Sequence, residues 1–173
     1  YRLGLAQEVS GMTRYALKDI CTELHSGKGI SSSEISDAGK YPVIGGNGVR
    51  GYTTKSNFSG ECAVIGRQGA ACGNVRFFSG DAYMTEHAVI ARGNSICDSR
   101  YLAYALGQMH LGRLSAQSAQ PGLSVKTLGE QVIELPAHEE QEAIVDVLGN
   151  LDDKIALNSQ INGYFTDRTN GFN

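Results

Sequence analysis

The sequence predicts an α+β chain: a compact, β-rich body with short helices, followed by one long C-terminal α-helix that forms a coiled coil. Two observations carry this expectation. The 173 residues include 22 Gly but only three Pro, and the glycines separate short runs rich in Val, Ile, Tyr and Phe, as in strands joined by tight turns. Past Pro136 one segment is periodic without interruption. There Ile144, Leu148, Leu151 and Ile155 recur at spacings of four, three and four, the stripe of a coiled coil. The expected division is 1–136 for the body, 137–168 for the helix and 169–173 for a tail.

The elements follow in order. Residues 15–21 open the body and read equally as a short helix or a strand. Gly and Ser punctuate 26–33, which reads as a loop. β-type runs then recur at 41–44, 49–52, 62–65, 75–78 and 87–91, as a mixed or antiparallel β-body requires. Asp98 is a good N-cap, and Tyr101, Leu102, Ala105, Leu106 and Met109 behind it keep helical spacing. Residues 114–122 are polar and read as loop. Ser124 caps one helical turn ending at Gly129, and 131–135 alternates as a strand. From Ala137 to about Phe165 the long helix runs, with Glu139, Glu140 and Glu142 placed at the positive end of its dipole. Gly149 and Asn150 oppose it by about 1 kcal/mol. Its length is about 40 Å at 1.5 Å per residue, more than so small a body needs for cover.

A net charge of −3 hides an asymmetry. Residues 1–129 carry 13 Lys/Arg against nine Asp/Glu, whereas 130–173 carry two against nine. A mildly basic body joined to an acidic helix is judged as two parts, and whole-chain charge does not exclude a nucleic-acid partner. No run of about 18 apolar residues exists, which argues against a transmembrane helix. Residues 1–11 lack the basic-then-apolar order of a signal peptide. Cys21, Cys62, Cys72 and Cys97 have no metal-knuckle spacing and sit among apolar or small residues, as buried reduced thiols of a cytoplasmic protein do. The four histidines form no HExxH or comparable pair; packing or surface roles are expected for all of them, and no metal site.

Residues 46–51 match G-x-G-x-x-G after a strand-like run, but the next residues are poor helix formers. A dinucleotide would need a helix N-terminus there, so a hairpin turn at Asn47-Gly48 is the better reading. Residues 66–73 form a second Gly-rich loop presenting Arg67 and Gln68, which suit guanine and adenine edges respectively. Spacing alone favours a solvated turn for that loop. No catalytic set is present: no Asn/Asp-Pro-Pro-aromatic run for amino-methyl transfer, no nucleophile elbow, no carboxylate cluster with a partner lysine for phosphodiester cleavage.

Taken in order, SGKG at 26–29, KYPVIGGNG at 40–48, GY at 51–52, VIGRQG at 64–69, CGNV at 72–75, TEHA at 85–88, AQPGLS at 119–124, LPAHEEQ at 135–141, LDDKI at 151–155 and Asn158 form a distinctive set. It resembles the specificity subunit of type I restriction–modification systems, in particular one target-recognition domain with its trailing conserved helix. The full subunit of that family has two such domains and two helical spacers, and this chain has length for one of each. Ala137 stands where the family often has a second Pro.

The resemblance implies a non-catalytic module that reads one half of a split target in double-stranded DNA, in the cytoplasm of a bacterium or archaeon. Its helix would set the distance between halves and dock methyltransferase subunits, which restriction subunits then join. S-adenosylmethionine, ATP and Mg would belong to those partners, with no cofactor in this chain. The candidates for DNA-backbone contact are Lys28, Arg50, Lys55, Arg76, Arg113 and Lys126, and for base edges Asn47, Arg67, Gln68, Gln117 and Gln120. Ile144, Leu148, Leu151, Ile155, Asn158 and Ile161 are the candidates for a homodimer or partner seam. A half-subunit that dimerises, a type II system relative and a fragment all fit the length. A β-rich protein-interaction module with a coiled-coil helix and a nucleotide enzyme are the rival classes.

Overall fold

The structure, a computed structural model, describes residues 11–117 and 122–170. Its order is β1 (Thr13–Ala16), β2 (Cys21–Ser26), β3 (Tyr41–Gly45), β4 (Gly48–Thr53), β5 (Phe58–Gly66), β6 (Val75–Met84), β7 (Ala88–Gly93), α1 (Ser99–Gln108), α2 (Val125–Gly129), β8 (Val132–Leu135) and α3 (His138–Asn170), with short 3-10 turns between them. Six strands form one mixed sheet in the order β2-β7-β5-β6-β3-β4, while β1 pairs antiparallel with β8. The expected α+β class, the strand runs and the long helix are therefore present.

The central strands explain why residues 62–65 and 87–91 read as unbroken apolar runs. In β5, Ala63 and Ile65 face one cluster and Cys62 and Val64 the other; in β7, Val89 and Ala91 alternate in the same way with Ala88 and Ile90. Period-two alternation persists, but both faces are covered, so no polar residue marks it. One face packs against α1 through Leu102 and Leu106, together with Leu123, Leu128, Ile133 and Leu135. Burying each such leucine contributes about 2 kcal/mol. The other face is closed by Ile44, Phe58, Ala82 and Met84.

Local chemistry sets the helix starts. Asp98 Oδ1 accepts from the Arg100 and Tyr101 backbone N–H groups at 2.7 and 2.9 Å. Ser124 Oγ accepts from Thr127 N at 3.0 Å and starts α2. Asp98→Ala should therefore cost about 1 kcal/mol, read as a lower urea midpoint with an unchanged slope.

Several boundaries differ from the sequence reading. Residues 15–21 are neither one helix nor one strand: the end of β1, a 3-10 turn (Leu17–Asp19) and the start of β2 share them. Tertiary pairing decides this, because Leu17 N donates to Gln131 O as β1 meets β8. The hairpin turn lies at Gly46-Asn47, one residue before Asn47-Gly48, since Gly45 pairs with Gly48. The expected loop at 114–122 begins inside a 3-10 helix, Leu111–Gln117, anchored by buried Leu111. The long helix starts at His138 and reaches Asn170. Among the described residues no helix is long and apolar enough to cross a membrane.

Candidate nucleic-acid interface

Three stretches of chain converge at one end of the sheet: the β3–β4 hairpin, the 66–73 loop and the 85–87 turn between β6 and β7. The hairpin carries a register shift that opposes Val43 to Gly51 and Ile44 to Val49. The extra residue is Arg50, which lays its stem over Gly45 and leaves the side chain exposed. The 66–73 loop is pinned by Gly66 N donating to Asn74 O at 2.9 Å and by Gly73 N donating to Gly66 O at 2.7 Å. Arg67 N donates to His87 O at 3.2 Å, which ties this loop to the 85–87 turn.

An open cleft of about 290 Å³ lies between these stretches, lined by Asn47, Arg50, Gln68 and His87 around Gly46, Ala70 and Ala71. Past the hairpin tip, a smaller pocket of about 170 Å³ includes Gly46, Gly48 and Arg76. Arg76 also lines a third cleft of about 620 Å³ with Asn74, His110 and Arg113. Gly46 borders the first two clefts and Arg76 the last two, and none of their lining residues is Asp or Glu. Adjoining clefts with three arginines and no lining acid suit a polyanion.

The structure thus brings together Asn47, Arg50, Gln68, Arg76 and Arg113 among the residues singled out from sequence. Arg67 stands behind Gln68, half-buried, with Nη1 3.4 Å from Ser26 Oγ and 3.5 Å from Glu86 O. Lys28 is exposed beside the turn, its backbone N–H donating to Met84 O. Lys55 is apart from these clefts and already matched: its Nζ donates to Glu34 Oε1 at 2.6 Å, a contact that holds the Glu34 carboxyl below its ordinary pKa and raises that of Lys55. Lys126 is exposed on α2, away from the cleft lining. Gln117 ends the 3-10 helix and Gln120 lies outside the described residues. Asn74, His87 and His110 were missed; the TEHA string at 85–88 was the available signal for His87.

The G-x-G-x-x-G stretch runs into β4, not into a helix, so the N-terminus that would hold a pyrophosphate does not exist there. The four cysteines are free; Cys62 and Cys97 are buried, Cys21 and Cys72 half-buried. Burial pushes the thiols of Cys21, Cys62 and Cys97 up to about 12, which keeps them protonated and unreactive. Among the described residues no group of three His, Cys, Asp or Glu could hold a metal ion.

The second surface is α3. Gln141, 1% exposed, fastens its first turn: Nε2 donates to Ile96 O and Pro136 O, and Oε1 accepts from Asp98 N. Ile144 and Val145 pack against the core of the body, so Ile144 belongs partly to that contact and not wholly to a seam. One helical turn later, Arg100 of α1 lies over the Phe77 ring and donates to Gly149 O at 3.1 Å and to Asp153 Oδ1 at 2.8 Å. Tyr104 Oη donates to Asp152 Oδ2 at 2.6 Å. A Cβ at Gly149 would come within 2.9 Å of the Arg100 guanidinium, so a larger residue there would displace that side chain from the helix backbone. Beside and beyond this clasp Leu148, Leu151, Ile155 and Ile161 are 37, 50, 64 and 41% exposed, and Asn158 lies on the same exposed stretch.

Comparison with known proteins places the chain in a family. The profile of the type I restriction modification DNA specificity domain matches residues 10–163. The specificity subunit of the type I restriction enzyme EcoprrI from Escherichia coli is 37% identical over 134 residues, covering 75% of this chain and 33% of its own length. A type I specificity subunit of Mycoplasma pneumoniae is 28% identical over 154 residues, covering 85% of this chain and 41% of its own. The crystal structure of the S subunit from M. genitalium superposes with a TM-score of 0.77 at 22% identity, over 87% of this chain and 41% of that one. The HsdS subunit from Thermoanaerobacter tengcongensis gives 0.63 at 18% identity, over 90 and 41%. This chain therefore spans less than half the length of each of these relatives. On the match across 10–163 and the shared fold, the chain belongs to the type I restriction modification DNA specificity domain family.

Proposed function

We propose that this chain is the DNA-reading, non-catalytic part of a type I restriction–modification complex, with residues 1–136 reading one half of a split duplex target. The observation that carries the reading is the set of adjoining clefts in which Arg50, Arg76 and Arg113 line the walls with no acid among them. Cations along such clefts neutralise phosphates, while Asn47 and Gln68 on their rim can reach base edges. Arg67 is held back, so its part is to support Gln68 more than to read. Lys28, beside the 85–87 turn, extends the same surface; Lys126 and Gln117 remain candidates on the neighbouring segments.

If Arg113 contacts a phosphate, Arg113→Ala should weaken binding to all duplexes alike. The slope of log affinity against log salt should fall by about one unit. A fluorescence titration from low to moderate salt measures this; an unchanged slope removes Arg113 from the backbone-contact set.

The helix 137–168 serves as spacer and docking element for methyltransferase subunits, in keeping with the complex assembly named for a solved type I system whose chain superposes at TM-score 0.66. S-adenosylmethionine, ATP and Mg act on the partner subunits, and restriction subunits complete the complex in the cytoplasm of a bacterium or archaeon. The exposed stripe of the helix is filled by a second copy of this chain, giving a two-fold homodimer with two reading domains. The stripe itself supports this: Leu148, Leu151 and Ile155 would otherwise face water along one side of the helix, with Ile161 on an adjacent line.

A further inference from the structure

The cleft between the hairpin and the 85–87 turn contains an arrangement the DNA-reading proposal does not use. His87 Nδ1 lies 3.0 Å from Gln68 Oε1, and His87 Nε2 lies 3.3 Å from Glu86 Oε1. A carboxylate, an imidazole and a carboxamide thus stand in series; both ring neighbours are oxygens, so the two contacts are hydrogen bonds together only when both ring nitrogens carry a proton. Around them, polar atoms without a protein partner concentrate. Of the four such buried side-chain atoms among the described residues, Arg67 Nε, Thr85 Oγ1 and Glu86 Oε2 all lie on the two loops behind the cleft.

A glutamine carboxamide offers two donors at one end and an acceptor at the other, and rotation about its last bond exchanges them. An unrestrained Gln68 would accept either base edge and discriminate poorly. The contact at Oε1 removes that freedom. With the acceptor end turned to the imidazole N–H, the amide N–H groups face the cleft.

We propose that His87 with both ring N–H groups engaged, one by Glu86 and one by Gln68 Oε1, is a positioning residue for base readout: it holds Gln68 Oε1 and so directs the Gln68 amide donors at a base edge rich in acceptors. In the major groove such edges belong to guanine, through N7 and O6, and to thymine through O4; cytosine offers a donor there instead. This rests on the DNA-reading proposal and adds the chemical class of one target position.

The test uses this chain and a pool of duplexes carrying a random 20-bp segment, with the bound fraction sequenced. The native chain should enrich a motif containing a guanine or thymine position that Gln68→Ala loses. His87→Leu should relax preference at that same position by on the order of tenfold, with the remaining motif positions and the salt slope unchanged. His87→Asn, whose amide N–H can replace Nδ1–H, should retain most of the preference. Thermal melting alongside confirms that the variants fold. A His87→Leu chain that keeps the full motif overturns the proposal, and so does one that loses every position equally, because the residue is then merely structural. Enrichment of no motif by the native chain would instead defeat the DNA-reading proposal, and this one with it.

Discussion

The double variant Leu148→Lys, Leu151→Lys is expected to be a folded monomer at concentrations where the native chain sediments as a dimer. The two leucines lie beyond the point where Gln141, Ile144 and Val145 hold α3 to the body, and they are exposed in the single chain. In a two-fold pair each occurs twice, so four leucines leave water together. At about 1.5–3 kcal/mol for each side chain fully buried, losing even half of that contribution weakens self-association by more than a hundredfold. Four lysines along one seam add like-charge repulsion. Because the body does not depend on these positions, the melting temperature of the monomer should stay within a few degrees of the native chain. Sedimentation at tens of micromolar decides the matter. A double variant that remains dimeric places the interface elsewhere, and a native chain that is monomeric under those conditions removes the homodimer.

Gln141→Leu should be the most damaging single change to the body–helix junction. The side chain is buried and makes three hydrogen bonds, to Ile96 O, Pro136 O and Asp98 N. Leucine fits the volume but leaves two carbonyls and one amide unpaired in a dry site. Each unmet group costs about 1–3 kcal/mol, so a loss of about 3–5 kcal/mol is expected. For a chain of this size that corresponds to a fall in Tm of about 10 °C or more. Gln141→Glu should be no rescue, because a carboxylate cannot donate to the two carbonyls and its charge would be buried. A Gln141→Leu chain melting within two degrees of native would show that the junction is held by the Ile144 and Val145 packing alone.

Much of this fold was readable because local and tertiary preferences coincide. Asp98 and Ser124 cap helices exactly where a capping side chain precedes an apolar-periodic run, and Gly-rich turns fall between the β-type runs. What was not readable depends on partners distant in sequence. β1 takes its shape from β8, more than a hundred residues away. Gly149 looked like a defect in the long helix, yet it is the gap through which Arg100 reaches the helix backbone. The site shows the same division. Arg50, Gln68, Arg76 and Arg113 were found by residue type and loop context. Lys55 carries the same charge, but Glu34, 21 residues earlier, already matches it. His87 lies within the TEHA string at 85–88, but its meaning comes from a glutamine on another loop.

The clasp of Arg100 and Tyr104 on Gly149, Asp152 and Asp153 has a mechanical consequence. From Lys154 to the end of the described helix is 17 residues, a lever of about 25 Å at 1.5 Å per residue. A tilt of about ten degrees at its fulcrum would carry the far end about 4 Å, more than the 3.4 Å rise of one base-pair step. In the proposed assembly of two reading domains joined through such levers, the stiffness of the Arg100 contact would set whether the gap between half-targets is counted to the base pair or only approximately.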